Sequence, residues 1–192
     1  MLSEDQRALR AGYIGGSDAG VILGYNKYKT IHELYLEKIG EAVEQDLSKN
    51  KAVRHGNAME PVIRNWFADY TGMPVVEEPE MLVHPEHYWM AANIDGRIVG
   101  VNEILEIKTA RTTLGWGEGT DNETIPASYL AQVAHYCCVT GADVCHVAVL
   151  FSGTDFRRYI YRRNLAIEAH IIAQERKFWE EHVLPRVPPI TD

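Results

Sequence analysis

Two short segments bring charged residues into an apolar part of the sequence. They are Asn93-Ile94-Asp95-Gly96 and Glu106-Ile107-Lys108. In a β-strand, residues i and i+2 point to the same face, so the side chains of Glu106 and Lys108 are predicted to lie side by side, with Ile107 turned into the core on the opposite face. An acid and a base held together in this way constrain both the local fold and the chemistry that the fold can support.

A metal ion is one partner that these charges can bind. Carboxylate oxygens such as those of Asp95 and Glu106 are hard ligands that suit Mg²⁺, and a nearby ammonium such as that of Lys108 can position or polarise an attacking water. The flanking residues are apolar, and unpaired charges in a largely buried sheet are costly. The pattern therefore indicates a metal-dependent site for phosphodiester hydrolysis. The alternative is a surface hairpin that carries ordinary charge.

The length and the hydropathy pattern predict one soluble domain. The chain has 192 residues, which is close to the usual size of a single domain. We predict that residues 1–192 form this domain, with a proline-rich tail at 185–192. No uninterrupted apolar run approaches the roughly 20 residues of a membrane span, and the first residues are acidic where a secretory signal would be basic. A cytoplasmic protein without membrane contact is expected.

The three cysteines indicate a reducing compartment. Cys137, Cys138 and Cys145 cannot all pair within the chain, and adjacent cysteines do not easily bridge each other. A zinc site could be assembled from Cys137 and Cys145 with His135 and His146, but the CxxC spacing of common zinc sites is absent. Buried structural cysteines are the favoured interpretation.

The net charge of −8 argues against a generic nucleic-acid-binding protein, which is usually basic. This objection is weakened because a metal site concentrates carboxylates and a bound cation reverses the local field. Basic residues can also be grouped on one face; the candidates are Arg7, Arg10, Lys27, Lys29, Lys51, Arg54, Lys108 and Arg111.

Apolar periodicity and turn residues predict an α/β architecture, with a mixed central β-sheet flanked by helices. The predicted helices are Ala19–Leu23, capped by Ser17 or Asp18, then Ile31–Ile39, Ala52–Tyr70, 126–139 and Leu165–Val183. The predicted strands are Val75–Val76, Met81–Val83, Tyr88–Asn93, Arg97–Val99, Ile104–Thr109, Val144–Phe151 and Phe156–Tyr161. The spacing of the first five strands suggests an antiparallel meander.

Three further positions have both a structural and a functional interpretation. Glu60 could be a first-turn acid that favours a helix N-terminus, or a further metal-site carboxylate. Gln132 could be a solvated helix residue, or it could touch a phosphate or a metal-bound water. The turn at Gly15-Gly16-Ser17-Asp18 could serve only as a turn and cap, or it could form an anion site that Arg10 completes.

The loop from Thr113 to Thr124 is glycine-rich, and long loops inside compact domains are often functional. Its Trp116 could contact DNA or a neighbouring subunit, or it could simply pack on the sheet.

Several motifs taken in order resemble the YqaJ-type viral recombinases, the phage lambda exonuclease branch of the PD-(D/E)XK nuclease superfamily. The resemblance spans roughly residues 10 to 165, and Ile94 replaces the proline of the motif name. The motifs are Ile14-Gly15-Gly16-Ser17-Asp18, Leu23-Gly24, Tyr28-Lys29-Thr30, Arg54-x-Gly56, Met59-Glu60-Pro61, Asn93-Ile94-Asp95-Gly96, Leu105-Glu106-Ile107-Lys108-Thr109 and Tyr129-x-x-Gln132-Val133.

This resemblance implies a restriction-endonuclease-like core and a Mg²⁺-dependent 5′-to-3′ exonuclease that leaves 3′ overhangs on linear duplex DNA. It also implies two metal ions, for which Mn²⁺ can substitute, a ring-shaped trimer, a single-strand annealing partner, and a phage or prophage origin in a bacterial host. The implied roles are metal binding for Asp95, Glu106 and the Ile107 carbonyl, handling of the nucleophilic water for Lys108, support near the metals for Glu60 and Gln132, and 5′-phosphate binding for Arg10 and Ser17.

Two other functions stay open at this point. The first is a different nuclease on the same fold, such as a site-specific endonuclease or a CRISPR-adaptation enzyme, although the four cysteines of an iron–sulfur cluster are not available. The second is a non-catalytic DNA-binding or assembly protein.

Overall fold

The computed structural model describes residues 11–42, 47, 49–119 and 124–190. Five α-helices and seven β-strands lie within this part of the chain. The helices are α1 (Gly16–Ile22), α2 (Ile31–Lys38), α3 (Lys51–Thr71), α4 (Ala127–Thr140) and α5 (Leu165–Phe178), and α5 continues into a π-helical turn at Trp179–Val183.

The central sheet has five strands in the order β1-β4-β5-β6-β7. Strands β5 and β6 are parallel and are connected through α4, whereas the other neighbours are antiparallel. This arrangement confirms the predicted mixed sheet flanked by helices. The strands are β1 (Val75–Val76), β4 (Gly96–Ile98), β5 (Glu103–Ala110), β6 (Val144–Phe151) and β7 (Asp155–Arg162).

The predicted meander of five consecutive strands is wrong. Strands β2 (Leu82–Val83) and β3 (Ala91–Ala92) form a separate two-stranded sheet, and β1 pairs directly with β4. Gly96 permits this pairing, because a Cβ atom there would lie 2.5 Å from Cγ1 of Val75. The close approach of two backbones, which local periodicity does not encode, decides which strands are neighbours.

Helix α1 begins one residue earlier than its predicted cap. Its N-cap is Gly15, and Asp18 lies within the first turn, where its Oδ2 accepts a hydrogen bond from the Gly15 N–H at 3.0 Å. The same carboxylate forms a buried ion pair with Nζ of Lys38 at 2.7 Å. Ser17 and Asp18 are therefore helical residues, and Asp18 caps the helix from inside it.

Helix α3 runs without interruption through Pro61. It begins at Lys51, where the Asn50 side chain accepts hydrogen bonds from the N–H groups of Ala52 and Val53 at 2.9 and 3.4 Å. Glu60 lies in the middle of this helix. The first-turn interpretation of Glu60 is therefore wrong.

The two faces of β5 belong to different hydrophobic clusters. Ile104 packs on the side of α4 and α5, whereas Leu105 and Ile107 pack against Ile63 and Phe67 of α3. The alternation places Glu106 and Lys108 side by side on one face, as predicted. Their contacts with Gln132 and Tyr129 show that this face is the α4 side.

The cysteines are buried and free. Burial raises the pKa of the Cys137 thiol to about 12. It also raises the pKa values of the Cys138 and Cys145 thiols. Within the described ranges, no group of three or more His, Cys, Asp or Glu side chains is arranged to hold a metal by itself. His135 instead contacts Glu175. These contacts support the structural interpretation of the cysteines.

The residues described include no helix with both the length and the apolar character needed to cross a bilayer.

Candidate active site

The site forms where β4 and β5 separate. Their ladder ends at the pair Gly96 and Leu105, and the Asp95 N–H donates to the Leu105 carbonyl at 3.2 Å. One step further, Oδ2 of Asp95 accepts a hydrogen bond from the Ile107 N–H at 2.6 Å. The N–H and C=O of one strand residue point to the same edge. The Ile107 carbonyl is therefore directed toward the edge that Asp95 occupies.

Glu106 is held by two donors. Its carboxylate contacts the Lys108 ammonium, and Oε1 also accepts a hydrogen bond from Nε2 of Gln132 at 3.1 Å. Glu106 is only 3% exposed. These contacts fix the carboxylate in place, and they show that Gln132 is a buried partner of Glu106 and not a solvated helix residue.

The carboxyl groups of Asp95 and Glu106 lie close enough for each to affect the other electrostatically. Burial raises the pKa of Asp95 well above its usual value, and the negative charge of Glu106 raises it further. Burial opposes the charge on Lys108, but its contacts with Glu106 and Asp95 outweigh this effect and raise its pKa. Lys108 is therefore an ammonium, and one positive charge faces two acidic groups.

This donor set fits a divalent cation. Mg²⁺ is usually bound in enzymes through one or two carboxylates, together with waters and substrate phosphates. Two buried acid groups that approach each other need a proton or a cation between them. Asp95 and Glu106 would hold the ion, and the Ile107 carbonyl is directed toward the same edge of β5.

Glu60 approaches the site from α3 but is engaged by an arginine. Its Oε1 accepts from Arg64 at 2.7 Å, and the same guanidinium donates to the Asp95 carbonyl at 3.1 Å. Burial raises the pKa of Glu60, and the nearby Asp95 adds to this shift. Arg64 therefore ties the helix carboxylate to the backbone of Asp95. Arg64 was not predicted from the sequence, although its i+4 spacing from Glu60 was the available signal.

Two aromatic residues support Lys108. Its Nζ lies 5.1 Å from the centre of the Tyr129 ring, which is a favourable distance for a cation–π contact. Trp116 in turn stacks on Tyr129, with the two ring centres 5.3 Å apart. Trp116 also contacts Phe151 and Tyr159. The described part of the glycine-rich loop therefore packs Trp116 on the sheet, close to Lys108.

Gln132 is itself oriented by Tyr136, to whose hydroxyl it donates at 2.9 Å. Gly16 of α1 packs against this pair, since a Cβ atom at that position would lie 2.3 Å from Cε1 of Tyr136 and 3.0 Å from Cγ of Gln132. The second glycine of the Gly15-Gly16 pair is thus required by close packing. Tyr136 and this role of Gly16 were not predicted from the sequence.

A cavity of about 220 Å³ adjoins Gln132 and Tyr136. Ser17 lines it, as do the glycines at the start of α1 and the exposed residue Asn93. Ser17 is therefore placed beside the carboxylate site, as the 5′-phosphate hypothesis requires. Arg10, its predicted companion, lies outside the described residues.

Residues 6–143 match the model of the YqaJ-like viral recombinase domain. The chain belongs to this family. It is also 37% identical over 183 residues to the uncharacterized protein YqaJ of Bacillus subtilis (strain 168), in a match that covers 93% of this chain and 56% of that protein. The YqaJ-like chain therefore spans little more than half the length of this relative.

Solved structures show the same fold. An alkaline exonuclease from Laribacter hongkongensis matches with a TM-score of 0.71 at 18% identity, covering 93% of this chain and 92% of that one. A phage-related exonuclease from Haemophilus somnus 129PT matches with a TM-score of 0.64 at 12% identity, covering 91% and 96%. The YqaJ-like chain thus has a restriction-endonuclease-like core, as predicted.

Proposed function

We propose that this YqaJ-like domain is a Mg²⁺-dependent exonuclease that degrades one strand of linear duplex DNA from its 5′ end and leaves 3′ overhangs. The observation that carries the proposal is the pair of adjacent carboxyl groups, Asp95 and Glu106, with the Lys108 ammonium in contact with Glu106. Family membership and the exonuclease fold agree with it.

The chemistry is hydrolysis of a phosphodiester. A water oxygen attacks the phosphorus, the bond from phosphorus to the 3′ oxygen breaks, and the products carry a 5′-phosphate and a 3′-hydroxyl. When bound, Mg²⁺, at one or two positions and replaceable by Mn²⁺, would lower the pKa of the attacking water and neutralise the developing charge.

The protein supplies position and charge for this reaction. Asp95 and Glu106 supply carboxylate oxygens as metal ligands at one edge of β5. The hydrogen bond from the Ile107 N–H to Asp95 limits the movement of the Asp95 carboxylate. Lys108 provides a preorganised positive charge where negative charge develops on the phosphoryl oxygens, which is typically among the largest catalytic effects. Gln132 and Glu60 act as positioning residues through Glu106 and Arg64.

The neighbouring cavity supports recognition of the 5′ end. Ser17 lies in its wall, and the cavity shares Gln132 with the carboxylate site. A terminal phosphate bound there would place the first phosphodiester of the strand near Glu106. We propose Ser17 and Arg10 as its ligands.

The wider role that follows is phage-type recombination by strand annealing. The proposal includes a cytoplasmic enzyme of phage or prophage origin, a single-strand annealing protein as its partner, and a homo-oligomer such as a ring trimer. A ring would allow an acidic subunit to present its basic residues toward the enclosed DNA.

The test is degradation of a linear duplex with a 5′-phosphate on one strand only, in Mg²⁺ or EDTA, beside a covalently closed circle. Loss of the phosphorylated strand alone, only in Mg²⁺ and without nicking of the circle, is the expected result. Ser17→Ala should weaken the preference for the phosphorylated strand, while Lys177→Gln, at an exposed position of α5, should leave it unchanged.

Other outcomes would redirect the assignment. Nicking of the circle would identify an endonuclease on the same fold. Binding of the duplex without cleavage in Mg²⁺ or Mn²⁺ would favour a non-catalytic DNA-binding protein.

A further inference from the structure

A second cleft lies on the other face of β5 from Lys108. Its volume is about 340 Å³, which is within the usual range of ligand clefts. It is bounded by the first turns of α3, by the end of β5 and by the turn between β6 and β7. Its lining residues include Lys51, His55 and Arg111, together with Thr109 and Ser152.

The charge of this cleft is the reverse of the charge of the whole protein. The chain carries a net charge of −8, yet among the residues that the structure describes no acidic side chain lines the cleft. Cations elsewhere are paired, such as Lys29 with Glu37 at 2.7 Å and Arg97 with Glu78 at 2.7 Å. Among the residues that the structure describes, no carboxylate forms an ion pair with Lys51 or Arg111.

The floor of the cleft is fixed by hydrogen bonds. Oγ of Ser152 donates to the Arg111 carbonyl at 2.9 Å, and the Ser152 N–H donates to the Ala110 carbonyl at 2.8 Å. The first N–H groups of α3 are already bonded to Asn50. Side-chain charge on a rigid floor, and not the end of the helix, therefore makes this cleft attractive to an anion.

The position of the cleft favours a phosphate of the DNA backbone as the anion. Ala110 lies two strand residues beyond Lys108, or roughly 7 Å along β5. Base pairs of a DNA duplex rise by about 3.4 Å along the helix axis, so this displacement corresponds to an axial advance of about two base pairs. We propose that Lys51 and Arg111 bind a backbone phosphate of the DNA substrate other than the phosphate that is cleaved. This inference rests on the proposed function and extends it to a second DNA contact.

The test measures binding of a short 5′-phosphorylated duplex, labelled with fluorescein, over a series of salt concentrations in EDTA. The variants are Arg111→Gln and Lys51→Gln. Each should reduce the slope of log K against log salt by about 1, because one fewer counterion is released. The double variant should reduce the slope by about 2.

Matched controls come from elsewhere on the surface. Arg162→Gln removes the same charge at the opposite end of the sheet, where Arg162 pairs with Val144, and Lys177→Gln removes an exposed charge of α5. Neither control should alter the salt slope. Thermal unfolding of each variant shows whether it is folded. If folded Arg111→Gln and Lys51→Gln behave like the controls, the proposed contact is wrong.

A chemical scan of the DNA locates the contact. Methylphosphonate linkages, which are neutral, replace one phosphate at a time along each strand. Wild-type protein should lose affinity at a small set of positions, and Arg111→Gln should become insensitive at one of them. If Arg111→Gln remains as sensitive as wild type at every position, the proposal is also wrong.

Activity separates this inference from the proposed function. If wild-type protein digests the duplex while both variants retain its KM and salt slope, only the phosphate contact is excluded. If the contact exists, the variants should raise KM with little change in kcat. If wild-type protein neither binds nor digests DNA, both the exonuclease function and the phosphate contact are excluded.

Discussion

Helix α4 contacts two buried glutamates, and their surroundings differ in charge balance. Glu175 receives a hydrogen bond from Nδ1 of His135 at 2.7 Å, and Nε2 of the same ring lies 2.9 Å from the Ala91 carbonyl. Both ring nitrogens face acceptors, so the ring is an imidazolium and the pair is neutral as a whole. Glu106, in contrast, shares its single ammonium with the neighbouring Asp95.

This difference separates a self-compensated ion pair from the acid pair that is proposed to bind a metal. The side chains of His135 and Glu175 are 0% and 1% exposed, and the pair has no surplus charge for a ligand to satisfy. The Asp95 and Glu106 cluster has two acidic groups for one ammonium, and Gln132 links it to a cavity. A buried carboxylate therefore indicates a functional site mainly when its neighbourhood is left unbalanced.

The largest expected effect is on catalysis. Lys108→Ala should reduce the cleavage rate by at least about 100-fold, since it removes the preorganised charge at the phosphoryl group. The protein should still fold, with some loss of stability because Glu106 loses its ion-pair partner. Initial rates and circular dichroism measure the two properties. Lys177→Ala is the control, and an active Lys108→Ala protein would exclude the lysine from the mechanism.

Substitution in the His135–Glu175 pair should lower stability and leave catalysis unchanged. Glu175→Gln should lower the free energy of unfolding by about 3 kcal/mol, because breaking one side of a buried ion pair leaves its partner uncompensated. The remaining folded protein should keep its cleavage rate at low temperature. Denaturant unfolding measures the loss, with the exposed Glu180→Gln as control. A stable but inactive variant would place Glu175 in the catalytic machinery.

Local sequence patterns were sufficient for the elements that carry the chemistry. Strict alternation placed Glu106 and Lys108 on one face of β5, and Thr30 with Glu33 formed the capping box that begins α2. These features depend on residues within three or four positions of each other.

Contacts between distant segments could not be predicted in this way. Arg64 reaches the Asp95 carbonyl across 31 positions, and His135 reaches Glu175 across 40. The choice of β4 as the partner of β1 depends on the absence of a side chain at Gly96. Such partners follow from the packing of whole elements, which periodicity along the chain does not specify.

The pH dependence of stability offers a finer test of the balanced pair. Burial opposes the charge on His135, but its contacts with Glu175 outweigh this effect and raise its pKa. The folded protein therefore keeps a proton that the unfolded chain loses above about pH 6.5. The contribution of the pair is complete below that pH and is lost as pH rises through the folded pKa, by up to about 1.4 kcal/mol per pH unit. Unfolding measured across this window should show the slope in wild type and not in Glu175→Gln.

The unbalanced site should respond in the opposite direction when its charge is removed. Burial and the charge of Glu106 both raise the pKa of Asp95, so ionised Asp95 is unfavourable in the folded state without a cation. Asp95→Asn keeps an oxygen that can accept the Ile107 N–H, and it should increase the free energy of unfolding in EDTA by about 1 kcal/mol. Added Mg²⁺ should stabilise wild type but not the variant, since only wild type retains both ligands. A variant less stable than wild type in EDTA would show that Asp95 is as well compensated as Glu175, and the contrast between the two glutamate sites would then lose its physical basis.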